Sequence, residues 1–593
     1  MMLICRNFLD LRFGKSLRQC ILQDLLDSRT AKSAIRRSIP IRLFSSRIHL
    51  SASVSSRPRM NFEATQSAPK WIHECSIDLQ NHKTAVIDIA ANVREASDEK
   101  RPFRIFHGST NSTRQNVLDR SNSVDVSMLN RVLRVDTSRK VALVEPNVPM
   151  DRLVEATLRH GLVPAVITEF PGITVGGSFA GTAGESSSFK HGFFDRIVAE
   201  AEIVLPKGEI IQASDEKHAD LFSKIPSTMG TLGITTALEI RLENAKRYVK
   251  TTYRPVKSME EAVSILESVT ADPDNSSNDY IDGIMFSKTE GAVITGRSTD
   301  DIQPGAAIQR FSRPWDPWYY VHVQDRVRQN PNSETVELIP IAEYLFRYDR
   351  GGFWVGRSAF HYFYFPFNRI ARWFLDDFMH TRMLYRALHA SKNVLCYVVQ
   401  DCAVPCKTAS QFVKYTDEKF GIYPLWLCPL RQMDDRPLTF HPHSCLPEDR
   451  ETGQPEQMLN IGLWGFGPKN YTSYIKENRA LEAKLHEFGG MKWLYSQTYY
   501  TEAEFWKVYQ REWYDELREK YHATHLPNVW QKVHVDMEKE ARYMESSWWI
   551  WWMRRFPLAG LWGLWKSMLS GDWKIPRRTN ISKMECIRSN EVD

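Results

Sequence analysis

Cysteine is scarce in this 593-residue chain: there are nine, an odd number, with no Cys-x-x-Cys pair. Thiols scattered through so long a chain exclude a disulfide scaffold and fit a reducing compartment. Cys396, Cys402 and Cys406 lie near one another, yet they lack the spacing and the histidine pair of a zinc site, so buried, reduced thiols are expected and no metal. Also missing are a Gly-x-Gly-x-x-Gly that opens a helix after a strand and a Gly-x-x-x-x-Gly-Lys-Ser/Thr loop, which removes the Rossmann and P-loop nucleotide sites. No internal repeat is visible, and no biased stretch is large enough for a disordered or fibrous protein. With 42% hydrophobic and 25% charged residues the chain is globular, and its length suggests two to four domains at ~100–200 residues each.

An excess of one charge is absent from most of the chain. The formal +6 is unevenly spread: residues 1–59 carry 12 basic and 3 acidic side chains, a net of +9, and the remaining 534 residues sum to −3. Composition therefore gives no footprint for a nucleic acid. Residues 1–59 are rich in Arg and Ser and poor in acids, with no clean apolar core after the first basic residues. That is the composition of an organellar transit peptide and not of a secretory signal; a start at Met60 is the alternative. Either way the segment lies outside the fold.

What is present is punctuated by Gly and Pro. Val132–Val135 and Val141–Val144 read as two strands joined by a turn. Pro149 opens a helix with apolar Met150, Leu153, Val154 and Leu158, closed near Gly161. Ala199–Leu205 and Glu209–Ala213 form a hairpin around Pro206-Lys207-Gly208. The pattern predicts a mixed α+β domain over 60–245. An aromatic-rich second domain follows over 246–535, with strand-like runs at Val394–Val399 and Ile422–Leu427. The tail, 536–593, holds Trp548, Trp549, Trp551, Trp552, Trp562, Trp565 and Trp573 around Arg554-Arg555. Its apolar stretches of about 6–10 residues are too short to span a bilayer, which needs ~20. Trp beside Arg suits the headgroup boundary, so docking on a membrane surface is expected, with packing on the tail's own domain as the alternative.

The chemistry centres on Gly/Ser loops. Pro171–Ser188 packs five glycines and several hydroxyls into eighteen positions, which suits a pyrophosphate. Upstream lies Phe106-His107-Gly108-Ser109-Thr110-Asn111-Ser112-Thr113, and downstream Gly230-Thr231-Leu232-Gly233-Ile234. Two such loops in one α+β domain can clasp a dinucleotide from two sides.

In their order these loops resemble the flavin-binding domain of the vanillyl-alcohol oxidase/p-cresol methylhydroxylase (PCMH) class. Glu185-Ser-Ser-Ser188 with Lys190 and Gly192, Tyr280–Ser287, Tyr344–Trp354, Val399-Gln-Asp401, Tyr423–Pro429 and Leu494–Trp506 are similar to the delta-24 sterol reductase family, over roughly residues 100–535. The resemblance implies an α+β fold: a two-subdomain PCMH-type FAD-binding domain, a mixed α/β substrate (cap) domain and the Trp-rich tail. It implies FAD held by Gly108, Ser109, Thr110, Asn111, Ser112, Thr174, Val175, Gly176, Gly177, Ser178, Gly181, Thr182, Gly184, Glu185, Ser186, Ser187, Gly230, Gly233 and Ile234. The position usually used for covalent linkage falls among Ser109–Thr113 and not on His107, so noncovalent FAD is expected. The implied reaction reduces the delta-24 side-chain double bond of a sterol with NADPH, in a dry apolar pocket. Tyr499 is the first expectation for the acid, followed by Glu343, Tyr344 and Asp401. An FAD-linked oxidase or dehydrogenase of another terpenoid or alcohol, and a non-catalytic sterol-binding scaffold, stay open. Asn111, in an Asn-x-Ser/Thr sequon, lies inside the proposed flavin loop, where a glycan would block the cofactor. The expected location is therefore the endoplasmic reticulum membrane with a cytosol-facing catalytic domain, a mitochondrial address from residues 1–59 being the alternative.

Overall fold

Short apolar runs separated by turn residues dictate antiparallel pairing in the two large sheets. The computed structural model describes residues 77–108, 122–302, 307–391, 396–432, 439–446, 457–545, 556–579 and 581–584. Residues 1–59, Ser109–Thr113 and Trp548–Trp552 lie outside them. The chain from Lys70 to Asp593 forms one compact unit.

Strands β1 (Arg104–Phe106) and β2 (Ser123–Asp125) make a small parallel pair. The expected strand, turn, strand follows as β3 (Val132–Asp136) and β4 (Val141–Val144), paired antiparallel. Helix Met150–Leu158 begins after Pro149, and Gly161, at φ +67°, leads into β5 (Leu162–Pro164). The expected hairpin is β6 (Val198–Val204) with β7 (Ile210–Ser214), and β8 (Ile234–Asn244) completes the first sheet in the order β3-β4-β8-β6-β7, with β5 also on β8. Helix Ile77–Asp98 packs on this sheet through Leu79, Val86, Ile89 and Val93.

The second sheet starts after a three-residue link, 245–247. Its strands are β9 (Tyr248–Val256), β10 (Tyr280–Ser287), β11 (Glu290–Thr299), β12 (Thr335–Pro340), β13 (Tyr397–Pro405), β14 (Leu425–Leu430), β15 (Met458–Phe466) and β16 (Met491–Lys492). They pair antiparallel in the order β12-β9-β11-β10-β14-β15-β13-β16. β14 begins at Leu425 and not at Ile422, because Pro424 has no N–H to give to a ladder. β13 begins at Tyr397.

Alternation on this sheet decides where the site forms. Val398, Cys402 and Val404 on β13, Leu425 and Leu427 on β14, and Leu459, Ile461 and Leu463 on β15 face a core with helices Met259–Thr270, Cys406–Lys419 and Tyr471–Glu487. The residues between them, Val399, Asp401, Trp426, Asn460 and Trp464, face the other way and line a cavity. Cys402, Cys406, Cys428 and Cys445 are buried. Among the described residues no helix is long and apolar enough to cross a membrane.

Candidate active site

The glycine segment works by close approach. Thr174 caps the short helix Val175–Ala180, its Oγ1 accepting from Gly177 N at 3.2 Å. Gly176 N donates to Pro146 O at 2.7 Å, and a Cβ there would lie 2.6 Å from the Pro146 side chain, so only glycine lets the two loops touch. Gly177 differs. A Cβ on it would meet only Thr174 Oγ1 at 3.1 Å and Ile173 at 4.0 Å, leaving its open side to the cavity.

These loops wall one end of a cavity of about 330 Å³, which Thr174, Gly176, Gly177, Ser178, Gly181, Gly184, Glu185, Gly230, Gly233 and Ile234 all line. His107 and Lys532 line it too. Burial, then the nearby Lys532 charge, holds the His107 imidazole below its usual pKa, so it is neutral at pH 7. Gly108 lines an adjoining polar cavity with Thr174 and Arg382. Ser109, Thr110, Asn111 and Ser112 are outside the described residues.

Val175, Thr182, Ser186 and Ser187 stand behind the wall. Val175 is core. Thr182 O accepts from Trp493 Nε1 at 2.9 Å, Ser186 O from Ile281 N at 2.7 Å, and Ser186 Oγ from the Arg347 guanidinium at 3.2 Å. Ser187 precedes the turn Ser188–His191, whose Ser188 O accepts from Arg431 N at 3.0 Å. The run Glu185–Ser188 thus stitches the glycine segment to the second sheet.

The residues at the glycine end fit FAD. Thr168 Oγ1 and Ser178 Oγ are buried without a protein partner, and both residues line the cavity. Two free hydroxyl donors beside a side-chain-free glycine surface are what a pyrophosphate and its flanking hydroxyls require.

The other end is aromatic. Phe353, Tyr385, Trp426, Trp464, Trp493 and Tyr495 surround Asp401. Asp401 accepts from the Tyr495 hydroxyl, from Asn460 Nδ2 at 3.2 Å and from Trp464 Nε1 at 3.3 Å. Burial nonetheless outweighs these donors and pushes its carboxyl up to about 6. The room for it comes from strand register: Gly462 on β15 lies opposite Asp401 on one side and Trp426 on the other, and a Cβ there would sit 3.1 Å from Asp401 Oδ1. A second buried carboxyl, Glu169, also lines the cavity, 3.6 Å from the Arg347 guanidinium. Burial pushes it up to about 7 against the pull of that charge.

Of the residues expected to supply the acid, only Asp401 lines the cavity. Tyr499 lies in the core on the other face of the sheet, its hydroxyl donating to Gln497 Oε1 at 2.7 Å. Glu343 accepts from Phe311 N, Ser312 N and Arg310, which anchors the 310–312 loop. Tyr344 packs its ring 4.2 Å from the Arg347 guanidinium. Tyr495, Asn460, Trp426 and Trp464 were missed from the sequence. Tyr495 stands four residues before Tyr499 in the same motif, and nothing local tells which of the two tyrosines meets Asp401.

Fold and site define an FAD binding domain joined to an aromatic cavity, and the FAD binding domain family model matches residues 84–214. Over 467 residues the chain is 28% identical to the Delta(24)-sterol reductase of Homo sapiens, covering 76% of this chain and 86% of that one. The Delta(24)-sterol reductase of Arabidopsis thaliana is 29% identical over 450 residues, 72% of this chain and 79% of the relative. Cytokinin dehydrogenase 9 of Oryza sativa subsp. japonica matches only 162 residues, at 29% identity, 27% of this chain and 30% of the relative. The chain is thus similar to the Delta(24)-sterol reductases over about three quarters of its length.

Proposed function

We propose that the protein is an FAD-dependent oxidoreductase that reduces the delta-24 side-chain double bond of a sterol with electrons from NADPH. The homology supports the reaction class, and the observation that carries the chemistry is a protonatable carboxyl, Asp401, in an aromatic cavity shared with the glycine loops. Gly176, Gly177, Ser178 and Thr174 hold the FAD pyrophosphate, and the 246–535 portion is the substrate side. FAD, when bound and reduced, supplies hydride to the substrate.

An isolated alkene is unactivated, so a proton has to arrive as the hydride does. Asp401 gives that proton to carbon 24, and the positive charge that develops falls on tertiary carbon 25, where hydride is accepted. The carboxylate left behind is stabilised by the Tyr495 hydroxyl, Asn460 and Trp464, which favours release of the proton. The faces of Trp426, Trp464 and Phe353 exclude water and attract the developing cation. The Trp-rich tail meets a membrane surface, in keeping with an apolar substrate and an endoplasmic reticulum location. Cells lacking the protein are expected to accumulate sterols unsaturated at carbon 24 at the expense of saturated ones. An unchanged sterol profile would refute the proposed substrate.

A further inference from the structure

Helix Leu558–Ser570 buries its smallest residues. Ala559, Gly560, Gly563 and Ser567 face inward, whereas Leu561, Trp562, Trp565 and Leu569 are 42%, 41%, 44% and 63% exposed. The inward side is shaped for contact: a Cβ on Gly560 would lie 2.4 Å from the Tyr362 ring, and one on Gly563 would lie 2.5 Å from Ala387 O. Large apolar residues directed to solvent reverse the ordinary pattern of a surface helix.

A second element, distant in sequence, does the same. Helix Arg369–Leu375 contains Ile370, Trp373, Phe374 and Leu375 and buries none of its residues. Just before it, Tyr364 is 80% exposed. The two patches meet at Phe556, whose ring lies 5.3 Å from Tyr362 and 5.4 Å from Tyr364. Cations stand among the aromatics: Lys566 lies 5.1 Å and 5.2 Å from the Trp562 and Trp565 rings, and Arg369 lies 4.6 Å from Trp315. Neither Lys566 nor Arg369 has a carboxylate at ion-pairing distance among the described residues.

From this we infer that helix Leu558–Ser570 and the 364–374 segment form one composite docking face for a bilayer surface with anionic headgroups. The inference rests on the tail's proposed membrane contact and adds a second, indispensable half. Apolar side chains flanked by amphipathic Trp rings and by cations without a carboxylate partner, Arg369 being hydrogen-bonded among the described residues only to Trp315 O at 3.1 and 3.2 Å, match a lipid interface whose acyl boundary takes the apolar groups and whose phosphates take the cations. The face also touches the cavity wall. Helix Val355–Tyr362 follows directly on Phe353, and helix Thr381–Ala390, against which Gly563 packs, carries Tyr385.

The test uses the full FAD-bound chain and vesicles of phosphatidylcholine with or without phosphatidylserine, in a flotation assay. Two triple variants separate the halves: Trp562→Ser/Trp565→Ser/Leu569→Ser in the tail, and Tyr364→Ser/Ile370→Ser/Phe374→Ser in the 364–374 segment. Each is expected to weaken partitioning by roughly 10- to 100-fold, from the apolar area it removes, while FAD content stays unchanged. Lys566→Gln with Arg369→Gln should abolish the preference for phosphatidylserine and its sensitivity to salt. A 364–374 variant that binds like the parent would overturn the composite face and leave the tail's membrane contact standing. If neither triple variant loses binding, both ideas fall. A concentration-dependent dimer abolished by the same substitutions, without vesicle binding, would assign the face to a second copy and overturn the inference.

Discussion

Asp401 and Tyr495 act as a pair whose two members make different predictions. Asp401→Asn keeps the shape of the site and removes the proton, so turnover should fall by about 10²–10⁴-fold with FAD retained, as sterol product analysis and the flavin spectrum would record. Burial pushes the carboxyl up to about 6, so if Asp401 donates the proton, turnover of the parent should decline as pH rises through that value. Tyr495→Phe removes a donor that favours the carboxylate, so the declining limb should move to higher pH. A limb that stays in place would separate Asp401 from the reaction. At the cofactor end, Gly177→Leu fills the side of the loop that faces the cavity, and loss of yellow colour on purification is expected. Normal FAD content in that variant would mean the pyrophosphate lies elsewhere.

At the scale of elements, helix Ile77–Asp98 is clipped to the first sheet by a charged centre. His82 Nδ1 lies 2.8 Å from Glu145 Oε1 and Nε2 lies 3.0 Å from Glu202 Oε1. Burial works against the imidazolium, but the two carboxylates prevail and raise its pKa to about 9. The unfolded value is about 6.5. The stabilisation is therefore complete below about 6.5 and is lost as pH climbs through the folded value near 9. Thermal melting should fall across that range in the parent and much less in His82→Ala, which at neutral pH should cost about 3–5 kcal/mol by leaving buried carboxylates unpaired. The elements themselves were legible where the signal is local, as in the 132–144 and 198–214 hairpins and the helix after Pro149. The glycine loops were legible for the same reason. Asp401 with Tyr495, Asn460 and Trp464 was not, because the group is created by register among β13, β14, β15 and the residues after β16. Tyr499 and Tyr495 look alike in sequence, and only the side of the sheet on which each emerges distinguishes them.

For the whole molecule, residues 60–593 sum to −3, a near-neutral body that holds a cavity with a polar glycine end and an aromatic end. One unit thus joins the cofactor loops of the first sheet to a protonatable carboxyl on the second, which is the arrangement a side-chain alkene reductase needs. Anaerobic spectroscopy of the purified FAD-bound protein, adding NADPH and then a delta-24 sterol, distinguishes a sterol reductase from an oxidase. The flavin absorbance should bleach with NADPH and return when the sterol is added, with the saturated sterol formed in equal amount. A flavin that NADPH reduces but that only oxygen reoxidises, with the sterol unchanged, would contradict a sterol reductase.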